Sequence, residues 1–183
     1  MVARNMNATE ELAILEAAKR DPARFAPLYE HYFNDLFRFV HRRAQDRELS
    51  SDITQQAFLK AMLALPRYEP RGLPVRAWLF RIALNELRMH WRKRKEVLID
   101  MSYREVKGLA MEVGSPDKED ELHRLARAMD RLDEQKARLI QLRYMDGLNY
   151  AEVGHVLGIG EDAAKMRTHR VLAVLRTYLS PGV

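Results

Sequence analysis

The sequence contains no cysteine and few residues that interrupt helices. Without cysteine, the 183-residue chain can form neither disulfides nor thiolate metal sites, which suits a reducing cytoplasm. It has only eight glycines and seven prolines, while leucine, alanine, arginine and glutamate dominate. This composition favours helices over long strands. The start does not follow the charged-then-apolar layout of a signal peptide, no apolar run is long enough to span a membrane, and the histidines form no metal-binding pattern. An all-α cytoplasmic protein without a metal or membrane insertion is expected.

The charge of the chain is modestly basic. Lysine and arginine number 31 against 26 acidic residues, which gives a formal net charge of +5 at pH 7. Such an excess favours an anionic partner, although it is equally typical of an ordinary solvated surface. Hydrophobic residues make up 47% of the chain, which is enough for a buried core in one domain or in two small ones.

Apolar residues at helical spacing predict long helices in the first half of the chain. One begins near Phe25 and continues past Val40. A polar break over residues 45–51 separates it from a second helix over residues 52–65, which Ser51 or Asp52 would cap.

Helix-breaking residues and charged stretches then divide the chain into domains. Residues 67–74 hold two prolines and a glycine, which predicts a loop, and a basic amphipathic helix follows over residues 75–95. Periodicity weakens after that helix, as is typical of a linker. The predicted boundaries are 1–20 for an N-terminal segment, 21–96 for a first helical domain, 97–119 for the linker and 120–183 for a second helical domain.

The second domain contains a predicted helix-turn-helix. Asn149 and Glu152 form a capping box that begins a short helix over residues 150–157, a turn follows over residues 158–160, and a new helix begins at Glu161. Spacing alone also fits an ordinary helical corner. Cations on the second helix favour DNA, because Arg and Lys reach the acceptors of the major groove.

Two further segments are candidate binding sites, although the pattern of each also fits a purely structural role. The first is residues 67–95, where Tyr68, Trp78, Phe80 and Trp91 alternate with basic residues. Exposed rings of this kind stack on unpaired bases, but a Trp in an amphipathic helix is more often part of the core. The second is the polar face of the helix over residues 52–65, which is either a solvated stripe or a docking surface.

Several stretches together resemble the extracytoplasmic-function (ECF) sigma factors of bacterial RNA polymerase, in the sigma-70 family. Residues 21–30 (DPARFAPLYE), 52–61 (DITQQAFLKA) and 76–85 (RAWLFRIALN) resemble region 2 of that family. Residues 132–175, including YMDGLNYAEV and KMRTHR, resemble region 4. The resemblance implies two small helical domains, a region 2 bundle and a region 4 helix-turn-helix, joined by a short linker. It also implies a non-enzymatic protein without cofactors.

The resemblance further implies roles for individual residues. The residues implied to dock on core RNA polymerase are Asp52, Gln55, Gln56, Phe58 and Leu59. Contacts with the opened minus-ten element fall to Tyr68, Arg71, Trp78, Arg81, Asn85, Arg88 and Met89. Contacts with the minus-thirty-five element fall to Tyr150, Lys165, Met166, Arg167, His169 and Arg170. The implied partners are core RNA polymerase, promoter DNA and an anti-sigma factor.

Some positions depart from the family pattern. Gly160 stands where a capping side chain is common, and Thr168 stands where a larger apolar residue usually fills the core. The docking helix carries hydroxyl residues where the family is more acidic. Phosphorylation at Ser50, Ser51 or Thr54 is therefore a hypothesis for restoring negative charge to that surface.

Two other functions compete with this interpretation. A stand-alone helix-turn-helix regulator would bind duplex DNA as a dimer, with the N-terminal helices as a dimerisation or sensing module. An enzyme such as a metal-dependent nuclease would need carboxylates that converge on one site. Asp100, Glu112 and Asp117 form no such motif.

Overall fold

The computed structural model describes residues 6–70, 72–91, 109–113 and 119–179, and every regular element within these ranges is helical. The chain divides into two compact units, Met1–Leu98 and Ile99–Val183. The predicted all-α fold of two small helical domains is therefore confirmed.

The first unit is built from long helices that share one core. The helices are α1 (Ala8–Arg20), α2 (Ala26–Ala44), α3 (Arg47–Ala64) and α4 (Val75–Trp91), with 3₁₀ turns at Pro22–Phe25 and Leu65–Arg67. Helices α2, α3 and α4 pack against one another in pairs. Their apolar stripes are buried together, as the helical spacing predicts. The core includes Leu28, Leu36, Phe39, Ala57, Ala61, Leu79, Ala83 and Leu87.

The second predicted helix begins earlier than its apolar pattern suggests. Helix α3 starts at Arg47, because the Asp46 side chain accepts a hydrogen bond from the backbone N–H of Leu49 at 3.0 Å. The predicted caps, Ser51 and Asp52, lie within the helix instead. An N-cap oxygen satisfies donors of the first turn, so a polar first turn extends a helix without adding to its apolar stripe.

The second unit contains helices of unequal length. They are α5 (Glu119–Asp130), α6 (Glu134–Ile140), α7 (Tyr150–Leu157) and α8 (Glu161–Leu179), with a π-helical turn at Gln141–Met145. Part of the predicted linker also belongs to this unit. Residues 109–113 are helical, Leu109 and Val113 are buried, and the carbonyl of Glu112 accepts from Arg176 at 2.6 Å. The rest of the predicted linker, residues 97–108 and 114–118, lies outside the described residues.

The predicted helix-turn-helix is confirmed to the residue. Asn149 accepts from the backbone N–H of Glu152 at 2.9 Å, and Glu152 accepts from the backbone N–H of Asn149 at 2.8 Å. At the other end of α7, Gly158 adopts the left-handed conformation with φ 73°, and the N–H of Ile159 donates to the carbonyl of Gly154 at 2.9 Å. These local bonds determine the angle at which α8 leaves the turn.

Gly154 lies directly under the turn. A Cβ added there would lie 2.8 Å from the carbonyl oxygen of Ile159 and 3.2 Å from Gly160, and both neighbours are backbone atoms that cannot rotate away. Only a glycine therefore lets α7 approach the turn this closely.

We predict that Gly154→Ala destabilises the second unit by roughly 1–2 kcal/mol, because the clash exceeds the gain in helix propensity. Amide hydrogen exchange in α7 and α8 is the measurement. Gly160→Ser is the comparison, since a Cβ at that position meets nothing within 4 Å. The serine hydroxyl can cap α8, so a gain of about 0.5 kcal/mol is expected there. Slower exchange in Gly154→Ala would contradict the prediction.

Candidate nucleic-acid interfaces

A pair of stacked aromatic rings closes the loop between α3 and α4. Tyr68 follows the 3₁₀ turn, its N–H bonded to the carbonyl of Leu65 at 3.0 Å, and Trp78 lies in the first turn of α4. Their ring centroids are 4.1 Å apart with the planes tilted by 31°, and both side chains are half-buried. The predicted loop residue Arg71 lies outside the described residues. The contact between the two rings joins the start of this proline- and glycine-containing loop to the first turn of α4.

One face of α4 continues from this ring pair. Trp78, Arg81, Asn85 and Arg88 recur at intervals of three and four residues, which places them on one side of the helix. Asn85 is exposed, as is Met89 beside this row, and Arg81 and Arg88 are half-buried. The α4 part of the predicted minus-ten set thus lies along one partly open surface, which offers a stacking ring, amide groups and cations.

Not every aromatic residue of this segment is available to a ligand. Phe80 is buried, with its ring centroid 4.4 Å from that of Phe39, so it belongs to the core and not to the candidate surface. The side chain of Trp91 lies outside the described residues. A salt bridge fixes α4 against α3, since Lys60 Nζ lies 2.6 Å from the buried carboxylate of Glu86.

The second candidate surface lies on α8. All five α8 residues of the predicted minus-thirty-five set are exposed, and the opposite face of the helix is buried through Ala164, Thr168, Val171 and Leu175. The exposed residues are Lys165, Met166, Arg167, His169 and Arg170. Thr168 Oγ1 donates to the carbonyl of Ala164 at 2.8 Å, so this core hydroxyl is hydrogen-bonded despite its burial.

Tyr150 connects the start of α7 to the exposed face of α8. Its ring centroid lies 6.1 Å from that of His169, and the guanidinium of Arg143 lies 5.1 Å from the Tyr150 ring centroid. Arg143 in turn donates to the carbonyl of Leu148 at 3.2 Å. The sixth predicted residue of the set therefore lies beside His169, one of the other five. Arg143 adds a cation that the sequence interpretation missed, because it lies in the preceding turn.

The predicted docking surface on α3 is only partly a surface. Asp52, Gln55, Gln56 and Leu59 are exposed. Phe58 is buried, and its ring packs among those of Phe25, Tyr29 and Phe33, at centroid distances of 6.4, 4.7 and 6.4 Å. Phe58 therefore supports the docking surface from beneath and does not itself face a partner.

The apolar part of this α3 surface extends beyond the predicted residues. Leu63 is 74% exposed and Leu59 is 57% exposed, with Met62 exposed between them. Spacings of three and four residues from Leu59 place all three on one face of α3. That periodicity was available in the sequence, but it does not distinguish an exposed apolar stripe from a core stripe.

The proposed phosphorylation sites differ in access. Ser50 and Thr54 are buried. Ser50 Oγ donates to the carbonyl of Asp46 and lies 3.1 Å from His41 Nδ1, and Thr54 Oγ1 donates to the carbonyl of Ser50 at 2.7 Å. A folded domain does not present such hydroxyls to a kinase, which corrects the hypothesis for these two residues. Ser51 is half-buried and is the one of the three that stays accessible.

Within the described residues, no group of three or more His, Asp or Glu side chains is placed to hold a metal ion. None of the helices described is long and apolar enough to cross a membrane.

Two family models match the chain. The model for sigma-70 region 2 matches residues 28–97, and the model for sigma-70 region 4 matches residues 128–177. Each match falls within one of the two compact units.

Several curated relatives are sigma factors of RNA polymerase. The ECF RNA polymerase sigma factor SigM of Bacillus subtilis is 30% identical over 159 residues, which cover 85% of this chain and 95% of SigM. The RNA polymerase sigma factor CarQ of Myxococcus xanthus is 30% identical over 165 residues, which cover 85% of this chain and 94% of CarQ. The ECF RNA polymerase sigma factor BldN of Streptomyces coelicolor is 28% identical, and the match covers 85% of this chain and 60% of BldN.

Solved structures show the same fold. CnrH, solved in complex with the cytosolic domain of CnrY, superposes with a TM-score of 0.63 at 26% identity and covers 92% of this chain and 96% of the solved one. RpoE, solved with the anti-sigma factor NepR from Bartonella quintana, superposes with a TM-score of 0.56 at 22% identity, covers 87% of this chain and 98% of the solved one, and supports the fold alone.

We predict that Phe58→Ala destabilises the first unit by about 3–5 kcal/mol, because it opens a cavity under α3, whereas the exposed Leu59→Ala changes stability by less than about 0.5 kcal/mol. Urea unfolding followed by tryptophan fluorescence measures this unit selectively, since both tryptophans, Trp78 and Trp91, lie within it. Equal losses of stability in Phe58→Ala and Leu59→Ala would contradict the burial of Phe58 and the exposure of Leu59.

Proposed function

Because the chain belongs to the ECF group of RNA polymerase sigma factors in the sigma-70 family, we infer that it brings core RNA polymerase to particular promoters and assists opening of the DNA there. The resemblance found in the sequence is thereby confirmed. The relatives described above are all sigma factors, and none of them supports the alternative of a stand-alone dimeric regulator.

The observation that carries this function is the presence, on one chain, of two unlike surfaces whose side chains suit nucleic acid. The first unit offers stacked rings, an amide and arginines beside a loop, which suit unpaired bases. The second offers a helix-turn-helix with an exposed basic helix, which suits the major groove. A protein that must bind duplex and opened DNA at one promoter needs both.

The surface around Tyr68 and Trp78 is our proposed site for the minus-ten element. Unstacking a base costs a few kcal/mol, and stacking on an aromatic ring returns about 1–3 kcal/mol per base. Arg81, Asn85 and Arg88 supply hydrogen bonds to a base edge or to the backbone. Because these contacts form only with the opened strand, they shift the equilibrium from duplex toward open DNA.

The exposed face of α8 is our proposed site for the minus-thirty-five element. Lys165, Arg167 and Arg170 reach guanine acceptors or phosphates, and Met166 offers an apolar contact for a thymine methyl group. Tyr150, at the start of α7, is placed to contact a phosphate at the edge of the site.

Helix α3 is our proposed docking surface for core polymerase. Asp52, Gln55, Gln56 and Leu59 form its exposed part, and the apolar residues Met62 and Leu63 extend it. An apolar centre with polar groups beside it is the usual composition of a protein interface. Ser51 lies at its edge, so modification there, unlike at Ser50 or Thr54, would add charge to this surface.

Both solved structures described above contain a protein partner. CnrH was solved with the cytosolic domain of CnrY, and RpoE with the anti-sigma factor NepR. An anti-sigma protein is accordingly proposed as a regulator of this chain as well. We also propose that the chain acts in the cytoplasm, where core polymerase is found, and that it catalyses no reaction itself, since RNA synthesis belongs to the polymerase.

Run-off transcription tests the function directly. Core RNA polymerase purified from the source organism is incubated with a library of its genomic fragments, with and without this chain. Discrete new start sites, and elution of the chain with the polymerase at one copy each, are expected. A dimer that binds a palindromic duplex without polymerase, with no new transcripts, would favour the stand-alone regulator and overturn the assignment.

We predict that Arg167→Ala weakens binding of the minus-thirty-five duplex by the complex of this chain with core polymerase. If Arg167 reads a base, the loss should be about 1–3 kcal/mol. If it contacts a phosphate, the slope of log affinity against log salt concentration should fall by about one unit. Fluorescence anisotropy at several salt concentrations measures both. Arg127→Ala, which removes an exposed arginine from α5, is the matched control and should change neither quantity. Equal losses from both variants would contradict a specific role for α8.

A further inference from the structure

Helix α1 precedes the stretch that the region 2 family model matches, yet it is part of the first unit. The match begins at residue 28, whereas α1 covers Ala8–Arg20. Leu15 and Ala18 of α1 are buried, and the helix contacts the 3₁₀ turn at Leu65–Arg67. Helix α1 therefore lies against the 3₁₀ turn that leads into the loop between Tyr68 and Pro74.

A buried carboxylate connects α1 to the other end of that loop. Glu11 is only 4% exposed. Its Oε2 accepts a hydrogen bond from the backbone N–H of Val75, the first residue of α4, at 2.8 Å, and its Oε1 accepts from the hydroxyl of Tyr32 on α2. Burial, together with the hydrogen bond to Glu11, raises the pKa of Tyr32 well above its ordinary value, so the hydroxyl stays protonated and donates.

The position of Glu11 matters because the residue before α4 cannot cap that helix with its own side chain. Pro74 immediately precedes the helix and has no side-chain oxygen to accept from its first turn. The N–H groups of a first helical turn need acceptors from outside the helix, and an acid is favoured there by the helix dipole. Glu11 supplies this acceptor from a position 64 residues earlier in the chain.

The loop between Tyr68 and Pro74 is thus held by α1 at both ends. Its start follows the turn that α1 contacts, and its end is the residue before the N–H that Glu11 binds. Within the loop, Gly72 has φ 69°, in the left-handed region that glycine adopts readily. The orientation of Trp78 against Tyr68 depends on where α4 begins.

We propose that Glu11 is a positioning residue for promoter opening: it sets the start of α4, and with it the geometry of the loop and ring pair that receive the opened strand. This inference rests on the proposed function of that surface. It assigns Glu11 no contact with DNA. Its loss should therefore impair binding of the opened strand without altering the surfaces on α3 and α8.

The first test measures loop order in the full chain by amide hydrogen exchange. Glu11→Leu keeps side-chain volume but removes the acceptor, so the amides of Val75 and its neighbours in residues 72–78 should exchange roughly tenfold faster. Glu11→Gln keeps an oxygen that can accept from Val75 and should restore most of the protection. Glu16→Leu, which removes an exposed carboxylate from the same helix, is the matched control and should leave these amides unchanged.

A double variant guards against simple unfolding. Combining Glu11→Leu with Tyr32→Phe replaces both side-chain partners with apolar groups, which is far less costly than leaving one polar group buried alone. The backbone N–H of Val75 still lacks its acceptor in this variant. Faster exchange confined to residues 72–78 supports the inference, and wild-type exchange rates there overturn it.

The second test uses a promoter recovered from the run-off experiment. With core polymerase, the double variant should bind the single-stranded minus-ten oligonucleotide about tenfold more weakly, while its affinities for the minus-thirty-five duplex and for core polymerase stay unchanged. A parallel fall in all three affinities would indicate a merely structural role and reject the inference. If wild-type chain starts no transcripts, the proposed function fails, and the exchange experiment alone decides whether Glu11 positions the loop.

Discussion

The N–H groups at the start of a helix need acceptors, and in this protein side-chain oxygens supply them at several helices, among them α3, α4 and α7. Asp46 caps α3, which carries the proposed docking surface, and Asn149 caps α7, the first helix of the helix-turn-helix. Glu11 caps α4 from a distant part of the chain. An uncapped start frays, which loosens the side chains of the first turn. The caps therefore determine where α3, α4 and α7 begin, and with that the order of the side chains in their first turns.

Burial of one face on each helix leaves the opposite face for binding. In α4, Leu79, Ala83 and Leu87 enter the core, so Trp78 and Asn85 lie on the other side. Helix α8 follows the same rule, with buried small and apolar residues opposite an exposed basic face. Because helical spacing couples the two faces, the core that stabilises each unit also orients the side chains proposed to bind DNA.

Predictions from the sequence succeeded where short-range bonds decide the structure. The helix-turn-helix depends on a capping box and a left-handed glycine within a few residues of each other, and both were found where the spacing placed them. They failed where two alternatives share one pattern. Phe58 and Leu59 are adjacent apolar residues on the same helix, yet one is buried among aromatic rings and the other is 57% exposed. Ser50 and Thr54 likewise resemble Ser51 in sequence, but they are buried.

The sequence by itself determined the helical class, the division into two small domains, the family and the helix-turn-helix, since periodicity, composition and caps act over a few residues. Only the tertiary structure decided which apolar side chains remain exposed and how the loop before α4 is held. The hydrogen bond from the backbone N–H of Val75 to the Glu11 carboxylate joins residues 64 positions apart. No local pattern specifies such a pair, because a buried carboxylate finds its donors only when separate helices pack together and exclude water.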